Sequence, residues 1–298
     1  MRRAFVVVNP TAGGGRTRGI WPRLRERLGG LGMEFYAMET TRVGGGTELA
    51  GRAVREGWSL VVAVGGDGTA NEVVNGVMDA SLTSQAVVGF IPTGRGRDVC
   101  RNFGIARNPH VAAQRVLTGE ETTVDIGAVE FRDGGRRYFI NAAGIGFDAA
   151  VAACARTGWA PGTLGYLLAV FKSLGRYQPY PLTIGRDGEP PSPRRVAAVV
   201  VANGAYYGGG MKIAPAANPT DGRLDVVILG DLGRLELLRW LPTVYSGRHL
   251  RNPKVTAQSG QVIAFRSTAS LPAHVDGEPL PEAPIRVSVH PRGLRVIR

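Results

Sequence analysis

An apolar run, Leu60 to Val64, stops at Gly65-Gly66-Asp67-Gly68-Thr69, and helical apolar spacing resumes after Thr69. A strand that ends in glycines and turns straight into a helix restricts the fold more than any other feature of the chain. Glycine has no Cβ, so backbone there can come close to a bound group. The first turn of a helix adds unpaired N–H groups and the positive end of a dipole, which suit an anion. A second reading is purely structural: Thr69 and Glu72 are spaced as a capping box and need only cap the helix. A capping box, however, does not require two glycines before an aspartate and another after it.

The pattern recurs on both sides. Ala4 to Val8 reads as a buried strand followed by Asn9-Pro10 and Gly13-Gly14-Gly15, and Val87 to Ile91 as a strand followed by Pro92-Thr93-Gly94-Arg95-Gly96-Arg97-Asp98. Helices are expected around Trp21 to Leu28, Thr47 to Glu56 and Thr69 to Met78, with a strand over Met33 to Met38. This alternation predicts a parallel sheet with helices on both faces. In such sheets ligands bind outside the carboxyl ends of the strands, so the three loops should share one edge. The loops are neither a Walker loop nor a dinucleotide fingerprint, because no G-x-x-x-x-G-K-[ST] occurs and Gly13 to Gly19 has the wrong spacing.

Beyond Glu121 strands dominate: Val124 to Phe131, Arg137 to Asn141, Arg195 to Ala202, Leu224 to Leu229 and several after Pro253. Helical stretches interrupt them near Phe147 to Ala155, Leu164 to Leu174 and Leu235 to Tyr245. The expected architecture is an α/β nucleotide-binding domain over 1–122 and a β-rich, sandwich-like domain over 123–289. A length of 298 residues suits two domains of ordinary size.

The formal net charge is +12, and all but three of the 36 basic residues are arginine. Such a surface attracts nucleotides, nucleic acid or an anionic membrane. The arginines are scattered and accompany no recognition motif, which argues against a nucleic-acid module. The two cysteines, Cys100 and Cys154, make no disulfide framework and fit a reducing, cytoplasmic compartment. No stretch approaches the roughly 18 apolar residues of a membrane span.

Five motifs in order resemble the bacterial diacylglycerol/lipid kinase family, related to sphingosine and ceramide kinases. They are Asn9-Pro10 with Ala12 to Gly15, Gly65 to Thr69 continuing through Asn71-Glu72-Val73-Val74-Asn75-Gly76, Gly144-Ile145-Gly146-Phe147-Asp148, Ala214-Pro215 through Asp221-Gly222 and Leu224-Asp225, and Asp276-Gly277-Glu278. The resemblance implies an ATP- and Mg²⁺-dependent lipid kinase with the site in a cleft between two domains, and lets residues 290–298 rejoin the first domain. Asn9, Thr40, Gly65, Gly66, Asp67, Gly68, Thr69, Asn71 and Glu72, with Gly94 and Arg95, would hold ATP. Asp276 would be the general base, with Glu278 positioning it or the metal, and Asp98 and Arg97 would face the acceptor. The Asp221 side chain and the backbone carbonyls of Asn218 and Arg223 would hold a structural Mg²⁺, a hard cation that takes carboxylate, carbonyl and water oxygens. The chain departs from the family pattern at Arg95, where the family has Thr or Ser, at Arg97, where it has Asn, and at Gly44-Gly45-Gly46, where it has G-D-A. The expected setting is peripheral contact with an anionic membrane, where the lipid substrate lies; a homodimer is compatible with the sequence. The rival readings are an NAD kinase-like enzyme and a pseudokinase that binds nucleotide or anionic lipid without transfer.

Overall fold

A computed structural model describes residues 3–80, 86–157 and 162–298, which divide into two compact units. The first unit takes residues 1–126, 219–221 and 290–298; the second takes 127–218 and 222–289.

The first unit alternates strand and helix: β1 (Arg3–Val8), α1 (Arg16–Gly30), β2 (Glu34–Glu39), α2 (Gly45–Arg55), β3 (Leu60–Gly65), α3 (Asp67–Ala80), β4 (Val87–Pro92), α4 (Asp98–Phe103) and α5 (Pro109–Thr118). Its strands run parallel in the order β2-β1-β3-β4, and the last turn of the C-terminal strand Arg286–Ile297 pairs with β4 through Arg295 and Val296. Strands covered on both faces read as continuous apolar runs. Accordingly β3 and β4 are buried along their whole length, while β1 is buried from Ala4 onward. Alternate residues go to opposite faces. Ala4, Val6, Val8, Leu60, Val62 and Val64 meet Trp21, Leu24, Leu28, Ala113 and Val116 of α1 and α5, and α2 and α3 pack on β1, β3 and β4. The chain winds one way from β1 to β2 and the other way from β3 to β4, so the order reverses between β1 and β3. Open sheets bind ligands at that reversal.

Glycine spacing fixes the helix packing. A Cβ on Gly76 of α3 would stand 2.2 Å from the carbonyl oxygen of Thr47, and one on Gly51 would meet the carbonyl oxygen of Gly76 at 3.2 Å. The bare backbone at Gly76 is what lets α2 and α3 touch.

The second unit contains β5 (Glu121–Glu130, from Gly127 on), β6 (Arg136–Phe139), β7 (Ala142–Gly146), α6 (Phe147–Thr157), α7 (Gly162–Arg176), β8 (Tyr180–Arg186), β9 (Ser192–Val196), β10 (Ala198–Ala202), β11 (Leu224–Leu229), α8 (Arg234–Trp240), β12 (Val255–Gly260), β13 (Val262–Arg266), β14 (Ala273–Val275), β15 (Glu278–Pro279) and β16 (Arg286–Ile297, its first residues). In a sheet ordered β12-β11-β10-β7-β14-β15, the inner strands β10, β7 and β14 are buried along their whole length. Val199 and Val201 of β10, Val226 and Ile228 of β11, and Ala143 and Ile145 of β7 point into a core shared with Ile184, Ile263, Phe265 and Val287 of the facing strands. This is a β-sandwich. The alternate residues Ala198, Val200, Ala202, Val227 and Ala142 point to a second core under α6, α7 and α8.

Three expectations about elements are corrected. The run Arg195 to Ala202 is two strands in different sheets, broken at Ala197, whose N–H turns to the carbonyls of Leu229 and Gly230. The strand expected over Arg137 to Asn141 stops at Phe139. The helix after the glycine motif begins at Asp67, not Thr69. Among the described residues no helix is long and apolar enough to cross a membrane.

Candidate active site

The loops after β1, β3 and β4 are stitched together at the sheet reversal. Asn9 N–H donates to the carbonyl of Val64 (2.9 Å), and the Asn9 side-chain amide donates to Thr69 Oγ1 (3.0 Å). The N–H groups of Thr93 and Gly94 both donate to the carbonyl of Gly65 (2.8 and 3.2 Å). A Cβ on Gly94 would lie 2.5 Å from Gly66 Cα, and a Cβ on Gly65 would lie within 2.8 Å of three Thr69 side-chain atoms. Gly13, Gly14 and Gly15 all have left-handed φ (68°, 73° and 87°), a run that suits glycine. A small recess lies between the ends of β3 and β4, lined by Gly65, Gly66, Asp67, Gly94, Arg97 and Cys100. Burial pushes the Cys100 thiol up to about 12, so it stays protonated.

The acidic residues of this region brace loops. Glu72, grouped by sequence with the ATP-holding residues, accepts from the N–H groups of Gly44 and Gly46, both at 2.8 Å. A Cβ on Gly46 would meet the Glu72 carboxylate at 2.6 Å, which explains a glycine there. Glu72 therefore does not close a capping box with Thr69. Thr47 Oγ1 donates to the Glu72 carbonyl (3.0 Å), and Thr40, buried just ahead of this turn, donates its N–H to Val8 (2.8 Å). Asp67 accepts from the N–H of Val99 (3.1 Å), and a Cβ on Gly96 would press on its other oxygen. Asn71 is buried and takes the Asn75 side-chain amide on its carbonyl (2.9 Å). Gly68 lies in the first turn of α3.

The two loop arginines differ. Arg97 sits at φ 58° as the residue before α4 and donates to the Gly94 carbonyl (3.3 Å). Arg95 is exposed, and its guanidinium lies 3.2 Å from where a Gly14 Cβ would be. Asp98 is buried and paired with Arg101 at 2.6 Å.

In the second unit, Asp276 occupies a turn at φ 49°, and its carboxylate accepts from the N–H groups of Ile140 (2.8 Å), Asn141 (2.8 Å) and Ala142 (3.0 Å). Glu278 begins β15 and pairs with Val275. Two residues before Asp276, buried His274 takes the Gly277 N–H on Nδ1 (3.2 Å), which leaves Nε2 to donate to Asp148 Oδ2 (3.0 Å). Tyr207 stacks on the His274 ring and also donates to Asp148 Oδ2 (3.3 Å). A Cβ on Gly144 would fall 2.1 Å from that carboxylate, and one on Gly146 would strike the Ala197 carbonyl at 2.6 Å. Both glycines of Gly144-Ile145-Gly146-Phe147-Asp148 are thus dictated by packing. Sequence reasoning gave no role to His274 or Tyr207; the only available signal was the histidine two residues ahead of Asp276.

Asp148 opens on an apolar pocket. Phe147, Val151, Met211, Leu237, Trp240 and Val244 contribute to its wall, and Asp148 supplies a carboxylate. Asp148 Oδ1 is buried and accepts no hydrogen bond among the described residues. A buried carboxylate oxygen without a partner is costly, so it marks a place for a donor.

Residues 3–129 match the diacylglycerol kinase catalytic domain, and residues 141–298 match the YegS C-terminal NAD kinase beta sandwich-like domain. A diacylglycerol kinase of Mycobacterium tuberculosis is 29% identical over 302 residues, covering 99% of this chain and 95% of that protein. A diacylglycerol kinase of Bacillus subtilis is 29% identical over 281 residues, covering 93% and 90%. The chain belongs to the diacylglycerol/lipid kinase family. It is a kinase by that membership, and its fold agrees with two solved structures. A diacylglycerol kinase from Bacillus anthracis superposes with a TM-score of 0.74 at 20% identity, covering 99% of this chain and 96% of that one. An NAD kinase from Archaeoglobus fulgidus in complex with ATP superposes with a TM-score of 0.53 at 14% identity, covering 99% and 93%.

The kinase family implies a nucleotide and a metal. The glycine loops fit a phosphate group, since the backbone at Gly65 and Gly94 is packed too closely for any side chain. For a metal, no group of three or more His, Cys, Asp or Glu side chains stands together among the described residues. The turn Asn218–Arg223 offers one carboxylate, Asp221, exposed before Gly222 at φ 73°. The Arg223 guanidinium is drawn to Ser259 Oγ (3.1 Å) and the Ser259 carbonyl (3.0 Å). The oxygen donors of this turn are of the type Mg²⁺ takes.

Proposed function

We propose that this kinase transfers the γ-phosphoryl group of ATP to a hydroxyl of a diacylglycerol-like lipid. The observation that carries the lipid acceptor is the apolar pocket lined by Asp148, whose Oδ1 accepts no hydrogen bond among the described residues. Its wall suits a hydrocarbon chain. His274 and Tyr207 hold the other oxygen of that carboxylate and so fix its direction.

Backbone N–H groups of the loops at Gly65–Asp67 and Gly94 hold the phosphates, and α3 turns its N-terminus toward them. Mg²⁺ bound with the nucleotide would supply charge neutralisation for phosphoryl transfer, and Asp221 with the carbonyls of Asn218 and Arg223 would hold a structural Mg²⁺. Asp276 takes the hydroxyl proton as the oxygen bonds to phosphorus and the bond to the β-phosphate oxygen breaks, releasing ADP. Its three backbone donors keep the carboxylate oriented for that step. Asp98, held by Arg101, and Arg97 border the acceptor side of the β4 loop.

The test is phosphoryl transfer from labelled ATP into a total lipid extract, run beside NAD⁺ as acceptor, with and without Mg²⁺. Label in a lipid that requires the metal supports the reading. Label in NAD⁺, or in no alcohol at all, overturns it.

A further inference from the structure

We propose that the outer face of the helical layer over the second unit's apolar pocket docks on an anionic lipid bilayer. This rests on the lipid reading above for its purpose, but on different residues for its evidence.

A surface helix ordinarily turns one apolar stripe inward and shows polar residues outside. Helix α8 and the 3₁₀ turn that continues it, Leu241–Ser246, carry two apolar stripes. Leu237 and Val244 are buried in the core, and Leu241 packs against it. Leu235, Leu238, Pro242 and Tyr245, at i, i+3, i+7 and i+10, form a second stripe that faces solvent. Leu235 is 82% exposed and Tyr245 53%. Helix α7 repeats the arrangement: Val170 and Leu174 enter the same core, while Leu168 and Phe171 are exposed. The two elements meet where Tyr177 Oη donates to the Leu232 carbonyl (2.7 Å) and Arg234 Nε donates to the Tyr177 carbonyl (3.2 Å).

The charge on this layer selects the occupant. Residues 168–177 and 231–251 contain six basic side chains, including Lys172, Arg176, Arg234 and Arg239, against two acidic ones. The acids are occupied: Glu236 pairs with Lys254 at 2.8 Å, and Asp231 lies 3.6 Å from Arg195. Large apolar side chains interleaved with unopposed cations match a membrane interface, where the apolar groups enter the acyl boundary and the cations meet anionic headgroups. A second protein copy would bring the same cations face to face. The layer also roofs the pocket, because Leu237, Trp240, Leu241 and Val244 line it from below. A lipid leaving the bilayer here would move from one apolar surface to the next.

Flotation of the full chain with phosphatidylcholine vesicles, with and without phosphatidylglycerol, tests the proposal. The wild type should bind the anionic vesicles and release as salt rises. Leu235→Glu with Leu238→Glu should weaken that binding at least about tenfold, and Arg239→Glu about fivefold. Turnover of a short-chain, water-soluble acceptor should be unchanged in both variants, because none of these side chains lines the pocket. Leu235→Trp gives an independent reading: its emission should shift blue and be quenched by brominated anionic lipid. Undiminished vesicle binding by the double variant, equal binding to neutral vesicles, or a change from dimer to monomer in sedimentation without a change in flotation would overturn the docking face. Vesicle binding by a protein that phosphorylates no lipid would support the docking face and remove the proposed function, so the two fail separately.

Discussion

In the first unit, the loops after β1, β2, β3 and β4 are held by polar side chains that reach across between them: Asn9 to the Thr69 hydroxyl, Glu72 to the N–H groups of Gly44 and Gly46, Asp67 to the N–H of Val99. In the second unit, the pocket beside Asp148 is bounded by apolar side chains drawn from α6, β10, β11, α8 and the turn after it. The polar lattice tolerates few residue types at each point, because each acceptor meets a particular N–H and each glycine leaves room for one neighbour. The pocket tolerates many, because apolar walls of similar volume are interchangeable. One region is thus written in motifs and the other is not, and the two should respond differently to substitution.

The largest effect is expected where a motif residue is proposed to do chemistry. Asp276→Asn should lower kcat at least about a hundredfold, the lower range for loss of a general base. Its carboxylate also accepts three backbone N–H groups, and the amide can accept at only one of its two positions. A loss of about 1–3 kcal/mol in stability should accompany the lost turnover. Denaturant unfolding beside steady-state kinetics separates the two. Full turnover in the variant would remove Asp276 from the mechanism.

A brace in the first unit should act on nucleotide alone. Glu72→Ala leaves two N–H groups of the Gly44–Gly46 turn without their acceptor; hydrogen bonds to a charged group are each worth about 1.5–3 kcal/mol. The Michaelis constant for ATP should rise about a hundredfold or more, while that for a soluble lipid acceptor stays within about twofold. An equal rise in both constants would show that the two regions do not act separately.

Arg95 sharpens the contrast from the ligand side. Its exposed guanidinium lies against the left-handed glycines at Gly14, where a charge-assisted contact with phosphate is available. Arg95→Ala should raise the Michaelis constant for ATP about ten- to hundredfold, and Arg95→Thr should recover part of that. If Arg95→Thr is instead far more active than wild type, the arginine blocks the site and the binding-only reading gains.

Those braces show why legibility stopped where it did. The alternation of strand and helix and the three strand-to-loop junctions were readable because burial on both faces forces continuous apolar runs in β1, β3 and β4. The glycines were readable as places of close approach, but not which group approached. Gly76 admits a neighbouring helix, Gly144 admits the Asp148–His274 pair, and both look the same in sequence. Glu72 read as a phosphate or capping residue because its target, Gly44 and Gly46, lies more than 25 positions away. Helices α4 and α5 escaped notice: α4 has six residues, and α5 follows it after a short turn. His274, Tyr207 and the pocket wall were hidden because their meaning comes only from being side by side.

The pocket offers the reverse of the Glu72 test. Trp240→Ala removes a half-buried ring from its wall without touching the glycine loops. The Michaelis constant for the lipid should rise about tenfold, equivalent to roughly 1.4 kcal/mol of lost apolar contact, with that for ATP unchanged. Competition between lipids of different chain length should show the change most clearly in the longer chains. An ATP-only effect would place the acceptor elsewhere.

The smallest expected effect is a pH dependence that belongs to the pocket and not to the loops. His249 is buried in the pocket wall, with Nε2 2.9 Å from the Ile213 carbonyl. Burial lowers its pKa, because the imidazolium would lose its hydration. The unfolded chain then binds a proton more readily than the folded one. This makes its neutral form's contribution full above the unfolded value of about 6.5, and that contribution falls as pH drops below it toward the lower folded value. Glu56 and Glu236, held low by Arg52 and Lys254, act in a more acid window, with their stabilisation present above about 4.3 and lost as pH falls. Melting temperatures taken between these windows should therefore decline with acid in the wild type and level off in His249→Phe. The variant should also lose about 1 kcal/mol at neutral pH, because the Ile213 carbonyl gives up its partner. A slope that survives the substitution would assign the acid sensitivity to another group and leave the pocket wall indifferent to pH.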